Sequence, residues 1–271
     1  MAIFNSLEFD GINSLDYGFY ISGDPVYNAP ERAMEMVSIP GRNGALALDY
    51  GRYENIQVSY PVGVFAVDQA ELADKLRRFR NELVSRFRYC KLTDTYHPDE
   101  YRIALYKSGL EAAPTAALRG AEFSITFECK PQRYLLTGEE PIEITYEPDY
   151  LTDHNLEAIE THSGAKIETG YQDGTFESPT LFGSRPIIKV PSAGGINLNG
   201  SVIGIGGDGS TPIYIDTDVG AIYTEDEEGR KKNAANLVSF ESGLVPELVP
   251  GENSIETNID GVELTPKWWI L

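Results

Sequence analysis

The sequence predicts a mainly β protein of two domains. Residues 1–135 read as an N-terminal β-sandwich or split-barrel-like domain with one amphipathic helix, and residues 136–271 as an antiparallel jelly-roll domain. Three observations carry this. A chain of 271 residues is long enough for two hydrophobic cores of ordinary size. Apolar and polar residues alternate with period two through much of the first half, the signature of strands with one wet face. After Pro186, short apolar runs follow at close spacing, separated by turns rich in Gly, Pro, Asn and Asp, which is the pattern of a sandwich. A composition of 41% hydrophobic and 24% charged residues excludes a disordered, collagen-like or disulfide-dense chain.

Taken in order, Ile3-Phe4 and Leu7 to Phe9 read as extended before the Asp10-Gly11 turn, followed by Tyr17 to Ile21 and Met34 to Ile39. Pro40-Gly41-Arg42-Asn43-Gly44 is a strong turn, after which Ala45 to Val64 resumes extended structure as a long hairpin. Helical periodicity runs from Asp68 to about Arg86, with Leu72, Leu76, Phe79 and Leu83 on one stripe. Asp68 followed by Glu71 provides a capping-box-like start, because their carboxylates can accept the amide protons that a first helical turn leaves unpaired. Tyr89 to Leu92, Tyr101 to Tyr106 and Glu122 to Glu128 add strands, and Cys129-Lys130-Pro131 closes the domain. From Glu139 to Glu177 there are eleven acidic residues against the single basic Lys166, so 138–185 reads as an acidic lead-in segment. The second domain then offers strands at Ile187–Val190, Ile196–Leu198, Val202–Ile205, Ile213–Ile215, Ala221–Thr224, Ser254–Asn258 and Lys267–Leu271.

Charge divides the chain sharply. Residues 1–135 hold 15 basic and 18 acidic side chains, and the remainder 7 and 24, for a total of −20. Stable nucleic-acid binding needs clustered cations over phosphates, which so acidic a second half opposes. The basic cluster Lys75, Arg77, Arg78, Arg80, Arg86 and Arg88 lies mostly on the predicted helix and reads as a solvated face paired with Glu71, Asp74 and Glu82. The start of the chain lacks the basic stretch of a secretion signal and the apolar runs are far shorter than a bilayer span, so cytoplasmic synthesis and no membrane insertion are expected. Cys90 and Cys129 give no disulfide framework and read as buried free thiols.

No motif supplies a catalytic, cofactor-binding or metal site. Gly204 to Gly209 fits G-x-G-x-x-G, but a strand follows where a dinucleotide site needs a helix N-terminus to hold the pyrophosphate, so a hairpin loop is expected. Asp216, Asp218, Gly220 and Glu225 fall short of a calcium loop, and Glu225 to Lys232 reads as an exposed loop tip. His97, His154 and His162 lack zinc-ligand spacing, and nothing pairs a nucleophile with a base. The 16 Tyr, 11 Phe and 2 Trp suit sheet cores and large subunit contacts. Trp268 and Trp269, adjacent on an expected strand, should point to opposite faces, which makes them the aromatic candidates for exposure.

The stretch Phe4 to Ile12, the turn Ile39 to Gly44, the run Phe123 to Tyr134, and the C-terminal segments Ile213 to Asp216 with Asn233, Pro246 to Asn253 and Pro266 to Leu271 resemble, in their order and spacing, the distal tail proteins of long-tailed siphophages. That resemblance implies an N-terminal domain assembling as a homo-hexameric ring able to stack, and a galectin-like jelly roll outside it. It further implies a virion hub at the distal end of the tail, joining tail-tube protein to tail-tip protein, anchoring baseplate or receptor-binding proteins, and leaving a central channel for DNA. Ring closure needs one face of each subunit to meet a different face of the next, so the first strand, the Pro40 turn and the 45–64 hairpin supply interface candidates: Phe4, Leu7, Gly41, Arg42, Asn43, Tyr53 and Tyr60.

Two other functions compete. One is a carbohydrate-binding module using Trp268 or Trp269 of the C-terminal sandwich, opposed by the lack of room for an inserted sugar-binding module. The other is a glycoside hydrolase, which would need two carboxyl groups brought within about 5 to 10 Å across one pocket.

Overall fold

The computed structural model describes residues 4–24, 27–109, 112–114, 119–144, 172–241, 243 and 245–271. These form two compact units, one reaching to Tyr134 and including Leu271, the other running from Leu135 to Ile270.

In the first unit the strands are β1 (Leu7–Phe9), β2 (Ile12–Asn13), β3 (Phe19–Ile21), β4 (Arg32–Ser38), β5 (Ala45–Tyr53), β6 (Ile56–Phe65), β7 (Cys90–Asp94), β8 (Glu100–Leu105), β9 (Ala113–Pro114) and β10 (Gly120–Leu135), with helix α1 (Gln69–Val84) between β6 and β7. The main sheet has the order β2-β1-β7-β8-β10-β6-β3, with β9 also pairing on β10. Its spine is the antiparallel β6–β10 pair, in register from Gly120 opposite Phe65 to Cys129 opposite Ile56. Alternation sends Val58, Tyr60, Val62 and Val64 of β6, and Phe123, Ile125, Phe127 and Cys129 of β10, into one core. Burying each such apolar side chain stabilises the fold by roughly 1.5–3 kcal/mol.

Helix α1 closes that core with Leu72, Phe79 and Leu83, the stripe its periodicity predicts, and Phe79 stacks on Phe19 with ring centres 4.5 Å apart. Its start is capped as expected: Asp68 Oδ1 accepts from Glu71 N at 2.8 Å, and Glu71 Oε2 accepts from Val67 N at 2.7 Å. Much of the basic cluster is paired, Lys75 with Glu71 at 2.8 Å, Arg77 with Asp74, and Arg86 with Asp10 at 3.0 Å.

The structure corrects the long hairpin. Ala45 to Val64 is not one continuous strand pair, because Glu54 and Asn55 interrupt it and its halves enter different sheets. β5 pairs with β4 across the Pro40–Gly44 turn, forming a separate two-stranded ribbon, whereas β6 pairs with β10 and β3. Tyr17 also departs from expectation: it ends a 3-10 turn over Ser14–Tyr17, which Gly18 terminates at φ +81°, in the left-handed region that a side chain disfavours.

The second unit contributes β11 (Ile142–Ile144), β12 (Gln172–Ser178), β13 (Ile187–Val190), β14 (Gly194–Leu198), β15 (Ser201–Ile205), β16 (Ile213–Asp216), β17 (Ala221–Glu225), β18 (Lys231–Asn233), β19 (Val238–Phe240), β20 (Gly251–Thr257), β21 (Val262–Thr265) and β22 (Trp269–Ile270). Two antiparallel sheets, β11-β21-β13-β16-β17-β18 and β12-β20-β14-β15-β19, share one apolar core that includes Ile188, Ile196, Leu198, Ile215, Ile255 and Leu264. This is a sandwich. The acidic lead-in is more than a connection, since its ends supply one strand to each sheet: β11 pairs on β21, and β12 pairs along its whole length on β20. Residues 145–171 of that segment, with His154 and His162, lie outside the described residues. The Gly204–Gly209 motif ends β15 with Gly204 and Ile205 and continues from Gly206 as the loop to β16, with a strand where a dinucleotide site needs a helix.

Candidate functional site

The β4–β5 ribbon is the part of the first unit whose burial its own chain does not complete. Its register runs from Arg32 opposite Tyr53 through Met34 opposite Asp49, Met36 opposite Ala47, and Val37 opposite Leu46, to Ser38 opposite Ala45. Period two then divides the side chains. Met34, Met36 and Ala47 share one face, while Val37, Leu46 and Leu48 share the other. Met34, Met36, Leu46, Leu48 and Tyr50 are all exposed, with Met36 reaching 60%. Ala33, at the base, is the strand pair's buried anchor.

A two-stranded ribbon is marginal in water, and this one is braced by polar contacts at its base. Arg32 Nε donates to Asp49 Oδ2 at 2.8 Å, Arg32 Nη1 donates to the Tyr53 hydroxyl at 3.1 Å, and the Tyr50 hydroxyl donates to Glu35 Oε2 at 2.6 Å. The bond from Arg32, helped by the Gly51 amide, holds the Asp49 carboxyl below its ordinary value, and the bond to Glu35 raises the Tyr50 phenol. At the tip, Arg42 N donates to Ile39 O at 3.1 Å, and Gly41 and Gly44 adopt φ near +80°, so the turn needs glycine at both positions. The result is a braced, exposed strand pair with apolar side chains on two opposite faces.

The expected interface residues fall into three groups. Gly41, Arg42 and Asn43 are exposed at the ribbon tip, and Tyr53 stands half-buried at its base. Phe4 is exposed and packs against Tyr20 with ring centres 5.4 Å apart. Leu7 and Tyr60 require correction, being only 1% and 3% exposed. Both sit at inward positions of alternating strands, and the Tyr60 hydroxyl donates to Asp94 Oδ2 at 2.8 Å, so neither faces out of the chain. Sequence reasoning passed over Met34, Met36, Leu46, Leu48 and Tyr50. Their signal was present: Ala45-Leu46-Ala47-Leu48 is apolar at odd and even positions alike, which a strand with one wet face does not need.

In the second unit, Trp268 and Trp269 are both half-buried. Trp269 stacks on Phe182 at 4.5 Å and donates its indole Nε1 to Gly183 O at 2.8 Å, a fixed packing position in place of a presented sugar platform. Asp216 and Asp226 spend their carboxylates on amide groups of their own turns: Asp218 and Val219 for the first, Glu228 and Arg230 for the second. Among the described residues no group of three or more His, Cys, Asp or Glu is placed to hold a metal ion, and no helix is long and apolar enough to cross a membrane.

Comparison with known proteins bears on both units. Residues 12–129 match the family model of the phage tail protein RIFT-related domain. No curated protein sequence matches the chain. Among solved structures, the chain is similar to the Dit protein (gp 19.1) of phage SPP1, described as a hub adsorption apparatus of phages infecting Gram-positive hosts, with TM-score 0.66 and 14% identity over 96% of this chain and 97% of that one. It is also similar to a chain of the phage P2 baseplate in its activated conformation with calcium, with TM-score 0.54 and 10% identity over 97% of each chain. The strontium form of that baseplate gives TM-score 0.53 and 10% identity over 96% of this chain and 97% of the other. At such identities these likenesses show a shared fold, and that fold extends through both units.

Proposed function

We propose, for a phage tail protein with an N-terminal RIFT-related domain and the Dit fold from end to end, the role of a hexameric hub at the distal end of the tail. Six copies close into a ring around a channel wide enough for DNA. One ring face docks the tail tube, the other docks the tail-tip protein, and the C-terminal sandwiches offer outer sites for adsorption proteins. The work is geometric, with binding energy drawn from buried interface area and no reaction catalysed.

The observation that carries this reading is the ribbon with two apolar faces. Exposed apolar area concentrated on one strand pair marks an interaction site, and a ribbon apolar on both sides is suited to lie between two surfaces. A closed ring provides such a place, because each subunit meets its neighbours through two different faces. Arg77 of the helix and Arg86 and Arg88 beyond it pair with carboxylates of their own domain, which fits a channel lined by neutral or acidic side chains that lets DNA pass without holding its phosphates.

Negative-stain electron microscopy of the purified chain tests this. Class averages with sixfold symmetry and a central opening are expected, alone or with tail partners. A chain that stays monomeric at high concentration and in the presence of tail-tube and tail-tip proteins would overturn it.

A further inference from the structure

At one end of the first unit's core the inward positions of three strands change from apolar to charged. On β8 the inward series runs Ala104 then Arg102, on β7 Leu92 then Asp94, and on β10 Phe127 and Cys129 continue to Arg133. Together with His97, Glu100 and Tyr101 these side chains line a small cleft with room for about one water molecule. Arg102 and Arg133 are each only 7% exposed, a burial that guanidinium groups rarely tolerate without a partner.

The acids in the cleft are already engaged. Asp94 accepts from the Tyr60 hydroxyl at 2.8 Å, from the backbone amides of Tyr96 and His97, and is held at 2.9 Å from His97 Nδ1. Glu100 accepts from Arg133 Nη1 at 3.2 Å. Arg102 is different: both terminal nitrogens, Nη1 and Nη2, are buried with no hydrogen-bond acceptor among the described residues. Cys129 and Tyr60 are its near neighbours but do not offset its charge. Burial pushes the Cys129 thiol up to about 12 and raises the Tyr60 phenol well above its usual value, so both stay neutral.

We propose that Arg102, at the floor of this cleft, is the receptor for one carboxylate group. The two Nη donors of a guanidinium form a planar fork that matches the two oxygens of a carboxylate. The cleft is close to the size of a single water and the two Nη atoms are sealed from solvent, so only a small flat group that displaces the cleft lining reaches them, and the flanking Asp94 and Glu100 disfavour a dianion such as phosphate. The carboxylate is either a free small acid or an Asp or Glu side chain of another copy of this chain. The site rests on the buried side chains alone and does not depend on the ring.

Formate is the probe. Thermal melting of the full chain is followed against sodium formate, with ionic strength held by a bulky sulfonate buffer salt that does not fit the cleft. The melting temperature should rise and saturate, with half-saturation in the millimolar range, as roughly 4 kcal/mol of binding implies. Arg102→Met keeps the bulk of the side chain and should lose the saturating response. If Arg102→Met fails to fold, Arg102→Lys, which keeps charge but not the fork, should weaken it about tenfold. Carbon-13 line broadening of labelled formate by the unmodified chain provides a readout independent of stability. Binding at dilute protein that disappears on self-assembly identifies a neighbour's side chain as the natural ligand, and binding that survives assembly identifies a free acid. No saturating response to formate, an equal response in the Arg102 variants, or tighter binding of inorganic phosphate than of formate would each overturn the proposal.

Discussion

The β6–β10 pair and the β4–β5 ribbon are built from the same extended backbone within one domain, yet one has a dry inward face and the other is exposed on both faces. β6 and β10 have α1 and the curled main sheet over their inward face, so Val62 and Phe127 lose all contact with water. β4 and β5 pair only with each other, and Met36 and Leu48 stay in solvent. Strand formation is therefore a local property, and burial depends on what the rest of the chain, or another chain, brings to the strand. The spine should govern stability and the ribbon should govern association.

The largest effect should come from the spine. Phe127→Ala removes a fully buried ring that meets Phe9, Tyr60 and Tyr106, and should cost about 3–5 kcal/mol in denaturant-induced unfolding. A loss under about 1 kcal/mol would mean that the spine is not the core. Gly63→Ala probes the same pair from its outward face. A Cβ there would run into the Tyr20 ring, so about 1–3 kcal/mol should be lost as that ring is displaced, and Tyr20→Ala should relieve the conflict when combined with it. Replacing the helix cap, Asp68→Ala, should cost about 1 kcal/mol by leaving the Glu71 amide without its acceptor.

The smallest effect belongs to the ribbon base. Asp49 is held below its ordinary value by Arg32, so its contribution is present above the unfolded carboxylate value near 3.9 and is lost as pH falls through the lower folded value. NMR titration should place the Asp49 midpoint below the ordinary carboxylate range, and Arg32→Met should move it upward. Because the pair is exposed, the melting temperature should scarcely change.

Where one side of a strand or helix faced a core built by its own domain, the sequence was readable. The stripe Leu72, Leu76, Phe79 and Leu83 and the alternation Phe123, Ile125 and Phe127 announce their elements because burial repeats at the period of the backbone. The signal failed where tertiary partners decide. Nothing local at Glu54-Asn55 reveals that the strands on either side belong to different sheets, and β12 is polar enough along Asp173, Thr175 and Glu177 to read as a linker until β20 pairs with it. Arg102 and Arg133 were hidden for the opposite reason. Arginine at an inward position contradicts the rule by which inward positions are recognised, so the alternation that carries them looked broken. The ribbon's two apolar faces were written in Ala45 to Leu48, but a pattern apolar on both sides also describes a fully buried strand.

The most direct measurement of the central claim is the native mass of the chain beside that of a Leu46→Glu, Leu48→Glu variant. The unmodified protein should assemble to about 180 kDa, six times the 29.9 kDa chain, while the variant should remain monomeric with its unfolding free energy within about 0.5 kcal/mol of the original. A variant that assembles as well as the unmodified chain would show that the ribbon is not the ring contact and would contradict the account.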